Sequence, residues 1–397
     1  MKDHREIGQQ LDLFMFSPVS PGCPIWLPHG NTVYSLLSEK IRQYNLKNGY
    51  VEVRTPLLYK PELFKTSGHW DHYKENMFII GDEEYALKPM NCPAHMTIFA
   101  AKQWSYRDLP YRIHDQGVLH RNEVSGAIGG LTRCRSFCQD DAHCFIPSEP
   151  DAIAKEAFEL VGMVGDVYRA FGMSLRAVLS TRPEKFMGVA KAWNQAEDAL
   201  KSVLNMGSLS FEIDEGKGAF YGPKIDFMVK DSLDREWQTA TIQLDFQLPQ
   251  RFNLKYADSN DVDQMPIVIH RAFYGSFERF IAILLEHYQG ELPFWLAPVQ
   301  MVLLPIADRH HQAVEYYHEY LSRHFRVEID RSNNTLPHKI ALATEQKIPY
   351  MLVVGDKELA NGGMNIRDRR GKQEMLDMYG LQQKLAVEGN FSFERMS

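Results

Sequence analysis

Two alternating runs joined by a glycine-rich spacer constrain this chain more than anything else in it. They are "DLPYRIHDQGVLHRNE" and "RCRSFCQDDAHCFI", with "VSGAIGGLT" between them. Each run reads as a strand, and the spacer reads as a loop. They make the arms of a long antiparallel hairpin, which needs further strands beside it to be stable. The return arm contains Arg135–Phe145, "RSFCQDDAHCF". A carboxylate pair and a histidine are costly in a buried strand unless they are paired. This stretch is where chemistry is expected first.

The flanking patterns give the hairpin neighbours. Val33, Leu36, Leu37, Ile41 and Tyr44 recur at helical spacing, and "GYVEVRTP" then reads as a strand closed by Pro56. "FKTSGHWDHY" is loop-like, "MFIIGDEEYALKP" a hairpin, and "NCPAHMTIFAAKQW" a helix with Pro93 in its first turn. Residues 150–172 and "VAKAWNQAEDALKSVLNMG" read as helices. "SLRAVLSTRP", "FEIDEGKGAFYGPKIDFMVKDSL" and "EWQTATIQLDFQLP" supply strands, and "MPIVIHRAFYGSFERFIAILLEHYQG" is a strand that becomes a helix near Gly275. The prolines of "GELPFWLAPVQ" mark a boundary. Beyond it strand and helix patterns alternate from "VQMVLLPI" to "GMNIRDRRGK", as in a small α/β unit. The expected fold class is α+β, with domains at 1–295 and 296–397.

Composition narrows the function classes. The chain has 397 residues and a net charge of −7, which excludes a uniformly basic nucleic-acid coat. Residues 298–397 hold 13 Lys+Arg against 13 Asp+Glu, so the remainder, at 31 against 38, carries the whole charge. No apolar run approaches the roughly 18 residues of a membrane span. The polar start "MKDHREIGQQLDLF" is not a secretory signal, and five irregularly spaced cysteines fit reduced thiols in the cytoplasm.

No P-loop, GxGxxG, HExxH or GxSxG occurs. Cys92, His95, Cys138, His143, Cys144 and His270 could supply metal ligands from separate strands, although any one of them alone is more often a core residue. Arg121, Arg133, Arg135 and Arg279 could clamp anions, because an arginine fork matches carboxylate or phosphate oxygens in pairs.

At this point the motifs carry a resemblance. "HRNEVSGAIGGLTRCRSFCQDDAH" resembles motif 2 of the class II aminoacyl-tRNA synthetases, "GSFERF" resembles motif 3, and the helix and strand ending at Pro56 resemble motif 1. "KPMNCPAH", "SGHWD", "STRPEK", "EGKGAFYGPKIDF" and "IQLDFQLP" narrow the likeness to the threonine-specific family. The resemblance runs from "DHREIGQQLDLF" to "IRDRRGK", nearly the whole chain.

It implies a class II catalytic domain followed by an anticodon-binding domain, joining threonine to its tRNA through an adenylate. Zinc would sit on Cys92, His143 and His270, three ligands that leave a position for substrate. Asp141 would hold the substrate ammonium or hydroxyl, Gln139 would sit near the carboxylate, and Tyr221 would assist the ammonium. Arg121 would grip the α-phosphate and the carboxylate, with Lys224 counted in the catalytic set. Glu123 would take the adenine amino group, Phe137 and Arg279 would sandwich the ring, and Arg133 would reach the γ-phosphate. Gln238, Thr241, Gln243 and Ser276 complete the ATP and substrate pocket, with Mg²⁺ on the phosphates. Asn333, Glu358 and Arg367 match positions that read anticodon bases. Motif 1 implies a homodimer.

The chain departs from the family pattern at Ala94, Ser136, Cys138, Thr239 and Ala240, where the family shows other, mostly smaller residues. One reading is compensated drift. The other is a reshaped pocket that alters amino-acid choice or excludes an inhibitor, as a self-resistance paralogue would need. The resemblance does not extend to an N-terminal editing domain, so mischarging of serine is expected. Two competing readings are a synthetase-like binding protein without catalysis, and an adenylating enzyme that serves a different acceptor.

Overall fold

The computed structural model describes residues 2–207, 210–231 and 234–393. They fall into two compact units. The larger comprises Pro18–Pro24, Lys40–Ile281 and Phe393, and the other comprises the chain up to Ser17, Ile25–Glu39 and Ala282–Ser392.

The larger unit is built on a sheet of eight described strands: β1 Val51–Glu52, β2 Tyr111–His120, β3 Ser136–Ile146, β4 Leu175–Ser180, β5 Phe211–Asp214, β6 Lys224–Lys230, β7 Glu236–Asp245 and β8 Ile267–Ser276. Their order is β5-β4-β6-β7-β8-β3-β2-β1. All pairs are antiparallel except β1 with β2 and β4 with β5. The predicted hairpin is β2–β3, paired without a slip from Tyr111↔Phe145 to His120↔Ser136. That register fixes the two faces of β3, since side chains alternate along a strand. Phe137, Gln139, Asp141 and His143 share one face. Cys138, Asp140, Ala142 and Cys144 share the other.

A helix at Cys92–Ala100 covers part of the first face. Pro93 lies in its first turn, where a missing N–H costs nothing. Cys92, Met96 and Phe99, at i, i+4 and i+7, pack into a cluster with Ile113, Phe145 and Val268. Phe99 stacks on Phe145 with centroids 4.3 Å apart. Burying such side chains contributes roughly 1.5–3 kcal/mol each, which pins the helix start over β3 and β8. Helices Pro150–Ala170 and Ala190–Met206 flank the sheet as expected.

Two expectations change. "FKTSGHWDHY" is not a loop but two short helices, Pro61–Ser67 and His69–Tyr73, joined at Gly68 in the left-handed region at φ +84°. Each is too short to show an amphipathic period, and its polar residues masked it. "GYVEVRTP" pairs only over Val51–Glu52. Thr55 instead donates its N–H and hydroxyl to the Asp115 carboxylate, at 3.2 and 2.6 Å, so side-chain bonding replaces the ladder.

Besides the short antiparallel pair Phe14–Met15 and Ile25–Trp26, the second unit holds a five-stranded sheet of β9 Met301–Pro305, β10 Val327–Ile329, β11 Tyr350–Val354, β12 Met364–Asp368 and β13 Gln373–Leu376, ordered β10-β9-β11-β12-β13. The first three are parallel and the last two antiparallel, with helices His311–Leu321 and Leu336–Glu345 in the crossovers. The sequence reading passed over helix Asp356–Asn361 and stopped short of β13 and helix Met378–Gly389. Among the described residues, no helix is long and apolar enough to cross a membrane.

Candidate active site

The face of β3 that carries Phe137, Gln139, Asp141 and His143 runs from a polar cavity to a buried cluster of thiol and imidazoles. The cavity measures about 440 Å³ and is lined by Arg121, Glu123, Arg133, Phe137, Gln139, Gln238, Thr241, Ser276 and Arg279, all expected from the sequence, and by Thr132, Cys134, Thr239 and Gly275. The Arg121 guanidinium lies over the Phe137 ring, 5.0 Å from its centroid. Arg133 pairs with the Glu123 carboxylate, its Nε at 3.0 Å. Arg279 donates to Thr132 O at 3.0 Å and its backbone N–H to Ser276 Oγ at 3.1 Å, which holds it at the rim. Gly275 makes the strand-to-helix turn at φ +75°, and a Cβ there would lie 2.8 Å from Thr239 O. Arg135 is not free to clamp anions. It donates to Glu123 O, Pro21 O and Ser125 Oγ, and so ties the hairpin loop.

Beside the cavity, Asp226 on β6 gathers Gln238 Nε2 at 2.5 Å, Thr241 Oγ1 at 3.2 Å and Lys224 Nζ at 2.7 Å. Gln243 Nε2 donates to Gly222 O at 3.2 Å. Tyr221 sits with its ring 5.6 Å from that of His270.

At the other end the ligand atoms of Cys92, His143 and His270 all lie within 4.8 Å of one another. His143 and His270 are cross-strand partners on β3 and β8. His143 Nε2 and His270 Nδ1 face each other at 2.8 Å. The second nitrogen of each ring is engaged, His270 Nε2 with Asp245 Oδ2 at 2.8 Å and His143 Nδ1 with His95 Nδ1 at 2.6 Å. Burial raises the Cys92 thiol pKa, which His270 opposes, and drives the His143 pKa well below the usual imidazole range. Burial also works to lower His270, but Cys92 and Asp245 outweigh it and bring it up to about 10. One soft sulfur and two imidazoles with oriented outer partners are a donor set that fits zinc. Of the six metal candidates, His95 stands behind His143, Cys144 meets the Tyr50 hydroxyl at 3.3 Å on the opposite face, and Cys138 is on that face too.

Asp141 lies between cavity and cluster, and burial raises its carboxyl pKa. Asn91, which sequence reasoning passed over, donates Nδ2 to Asp141 Oδ2 at 3.3 Å. Gly117 makes room for it, since a Cβ there would lie 2.3 Å from Asn91 Oδ1. Asp245 and Asp115 were also missed. Asp245 stands inside the quoted "IQLDFQLP", but its partner His270 is distant in sequence. In the second unit Asn333 follows β10 and Glu358 follows β11, so both leave the carboxyl ends of parallel strands. Arg367 on β12 pairs with Met351, nearer the amino end of β11.

An antiparallel sheet with these motif residues on one face, followed by a mixed-sheet unit, defines a class. The chain belongs to the class II tRNA synthetases: residues 74–288 match the tRNA synthetase class II core domain (G, H, P, S and T), and residues 300–387 match the anticodon binding domain. A Giardia lamblia prolyl-tRNA synthetase, 18% identical, shares the fold with a TM-score of 0.74 over 97% of this chain and 78% of its own. Within the class the likeness is to threonyl-tRNA synthetases. A threonine–tRNA ligase of Caldanaerobacter subterraneus subsp. tengcongensis is 47% identical over 372 residues, 93% of this chain and 58% of its own length. One from Myxococcus xanthus is 46% identical over 95% of this chain and 59% of its own. The chain thus spans a little under three fifths of these relatives. A crystal structure of the RNA binding domain of threonyl-tRNA synthetase from Cryptosporidium parvum Iowa II superposes with a TM-score of 0.94, at 42% identity and with full coverage of both chains.

Proposed function

We propose that this chain is a threonine–tRNA ligase that activates threonine with ATP and transfers it to tRNA. The observation that carries the reading is the single face of β3, which sets Phe137, Gln139, Asp141 and His143 in one line from the polar cavity to the thiol–imidazole cluster. That line has the order of an aminoacyl-adenylate: base, phosphate and carboxylate, ammonium, side chain.

ATP with Mg²⁺ enters the cavity. Phe137 and Arg279 hold the adenine between them, Glu123 accepts from its amino group, and Arg133, Gln238, Thr241 and Ser276 position the rest, with Arg133 toward the γ-phosphate. Arg121 faces the α-phosphate. As the threonine carboxylate attacks phosphorus and pyrophosphate leaves, negative charge builds beside the Arg121 guanidinium, which stabilises it. Gln139 orients that carboxylate. Asp141, Tyr221 and Gln243 hold the ammonium end, and Lys224 is kept in place by Asp226. A ribose hydroxyl at the tRNA end then attacks the carbonyl and releases AMP. Zinc on Cys92, His143 and His270 would offer the threonine amine and hydroxyl a coordination that valine cannot complete, a choice an apolar slot makes poorly.

The same reading takes Asn333, Glu358 and Arg367 as readers of the anticodon, places the domain boundary at 295/296, makes the protein a homodimer through the Pro28–Lys47 helix, and puts it in the cytoplasm. Among the five departures from the family pattern, alternation turns Ser136 and Cys138 away from the substrate face. A reshaped, inhibitor-tolerant pocket therefore rests on Thr239, which lines the cavity, on its fully buried neighbour Ala240, and on Ala94, in the first turn after Cys92.

ATP–pyrophosphate exchange and tRNA charging should both depend on threonine, exceed the valine rates at least a hundredfold, and fall when a chelator strips the protein. Exchange without charging would redirect the reading to another acceptor, and no exchange with any amino acid would sink it.

A further inference from the structure

His95 is fully buried and contacts a residue of the metal cluster without belonging to it. Its Nδ1 lies 2.6 Å from His143 Nδ1. Two ring nitrogens at that distance share one proton, so one donates and the other accepts. For His143 Nε2 to offer a lone pair to a metal, its proton must be on Nδ1. His95 then accepts at Nδ1 and carries its own proton on Nε2. That Nε2 has no hydrogen-bond partner among the described residues, and the nearest anion is Asp115 Oδ2 at 3.9 Å. Asp115 is itself fixed, by the Thr55 N–H and hydroxyl and by Lys88 Nζ at 3.7 Å. The opposite tautomer of His95 would place the His143 proton on Nε2 and remove the ligand.

We infer that Asp115 and His95 form a positioning relay that fixes the His143 tautomer and thereby makes the site competent for metal. The relay rests on the zinc reading of Cys92, His143 and His270. It differs from the usual outer partner, a carboxylate or carbonyl directly on the ligand imidazole, as Asp245 is on His270. Here a second imidazole is inserted between ligand and carboxylate.

The test measures zinc affinity of the purified chain by competition with a chromophoric chelator, and the cobalt spectrum of the same proteins. His95→Leu removes the acceptor and should weaken zinc about 10- to 100-fold, with shifted cobalt d–d bands. His95→Asn offers its Oδ1 in place of Nδ1 and should recover most of the affinity, which a merely structural role would not produce. Asp115→Asn should weaken zinc in the same direction as His95→Leu. Cys92→Ser tests the underlying reading separately: if it binds zinc as the parent does, the metal site is not the one assigned and the relay falls with it. If Cys92→Ser loses zinc while Asp115→Asn and His95→Leu keep the parent affinity and spectrum, the relay alone is overturned. Should His95→Leu fail to fold, parent-like zinc affinity in Asp115→Asn still overturns it.

Discussion

Glu278 shows how a single carboxyl couples the candidate site to pH. It opens the helix after β8 and is 4% exposed. Its Oε2 accepts the Cys138 N–H at 3.0 Å and the Ser276 hydroxyl at 3.2 Å. Burial lifts its pKa from 4.5 to about 7, against the opposing pull of its hydrogen bonds. The folded state therefore holds this proton more tightly than the unfolded chain. The stabilisation from that is complete below pH 4.5 and is lost as pH rises through 7. Glu278→Gln keeps the acceptor oxygen without the ionisation. The slope of melting temperature against pH should flatten between these limits, and the variant should be the more stable protein above them. An unchanged slope would mean that this carboxyl titrates at its ordinary value. At this scale the sequence was readable only where a motif named the residue. Asn91 and Asp115 act through partners distant in the chain, and His95, legible as a possible ligand, stands behind one instead; no local pattern announces such partners.

A strand sorts neighbours in sequence onto opposite faces, and β3 does so with two aspartates. Asp140 accepts the N–H groups of Phe273 and Tyr274 at 2.8 and 3.0 Å and lies 3.8 Å from Arg271 Nη1. Asp141 meets Asn91 on the substrate side. The same substitution should therefore give opposite phenotypes. Asp140→Asn replaces an acceptor oxygen with a donor facing backbone N–H groups, so it should cost about 1–3 kcal/mol of stability with the threonine KM little changed. Asp141→Asn should leave denaturant stability nearly intact and cut threonine-dependent exchange at least tenfold. Paired urea melts and exchange assays on the two variants separate structure from chemistry, and equal stability losses would contradict the assignment of faces. Elements of this length were legible because a glycine-rich spacer separates two long strand-like runs, although burial on both faces leaves β3 without a strict alternation. The helices Pro61–Ser67 and His69–Tyr73 were not, because five to seven residues with a glycine between them give no period to read.

At the scale of the whole molecule, the residues assigned to activation and those assigned to anticodon reading lie in different compact units. The expected boundary at 295/296 rests on the prolines of "GELPFWLAPVQ", whereas the second compact unit also draws in Ile25–Glu39 and the helix from Ala282; the last hundred residues balance their charges while the rest carries −7. The segment 298–397, without net charge, gains little from blanket phosphate attraction, so any RNA reading by it would rest on specific side chains. Its parallel strands were legible as alternating patterns, but the last strand and helix were not, lying past the point where those patterns were followed. Asn333 sits exposed after β10 and contributes nothing visible to the core. Asn333→Ala should therefore change stability by no more than about 0.5 kcal/mol. It should leave ATP–pyrophosphate exchange at the parent rate, because activation needs no tRNA. If Asn333 reads a base, charging should weaken by on the order of 1–3 kcal/mol, expressed as a higher KM for tRNA at similar kcat. A parent-like KM for tRNA would remove Asn333 from the readers, whereas a loss in exchange as well would show that the two units do not divide the labour in this way.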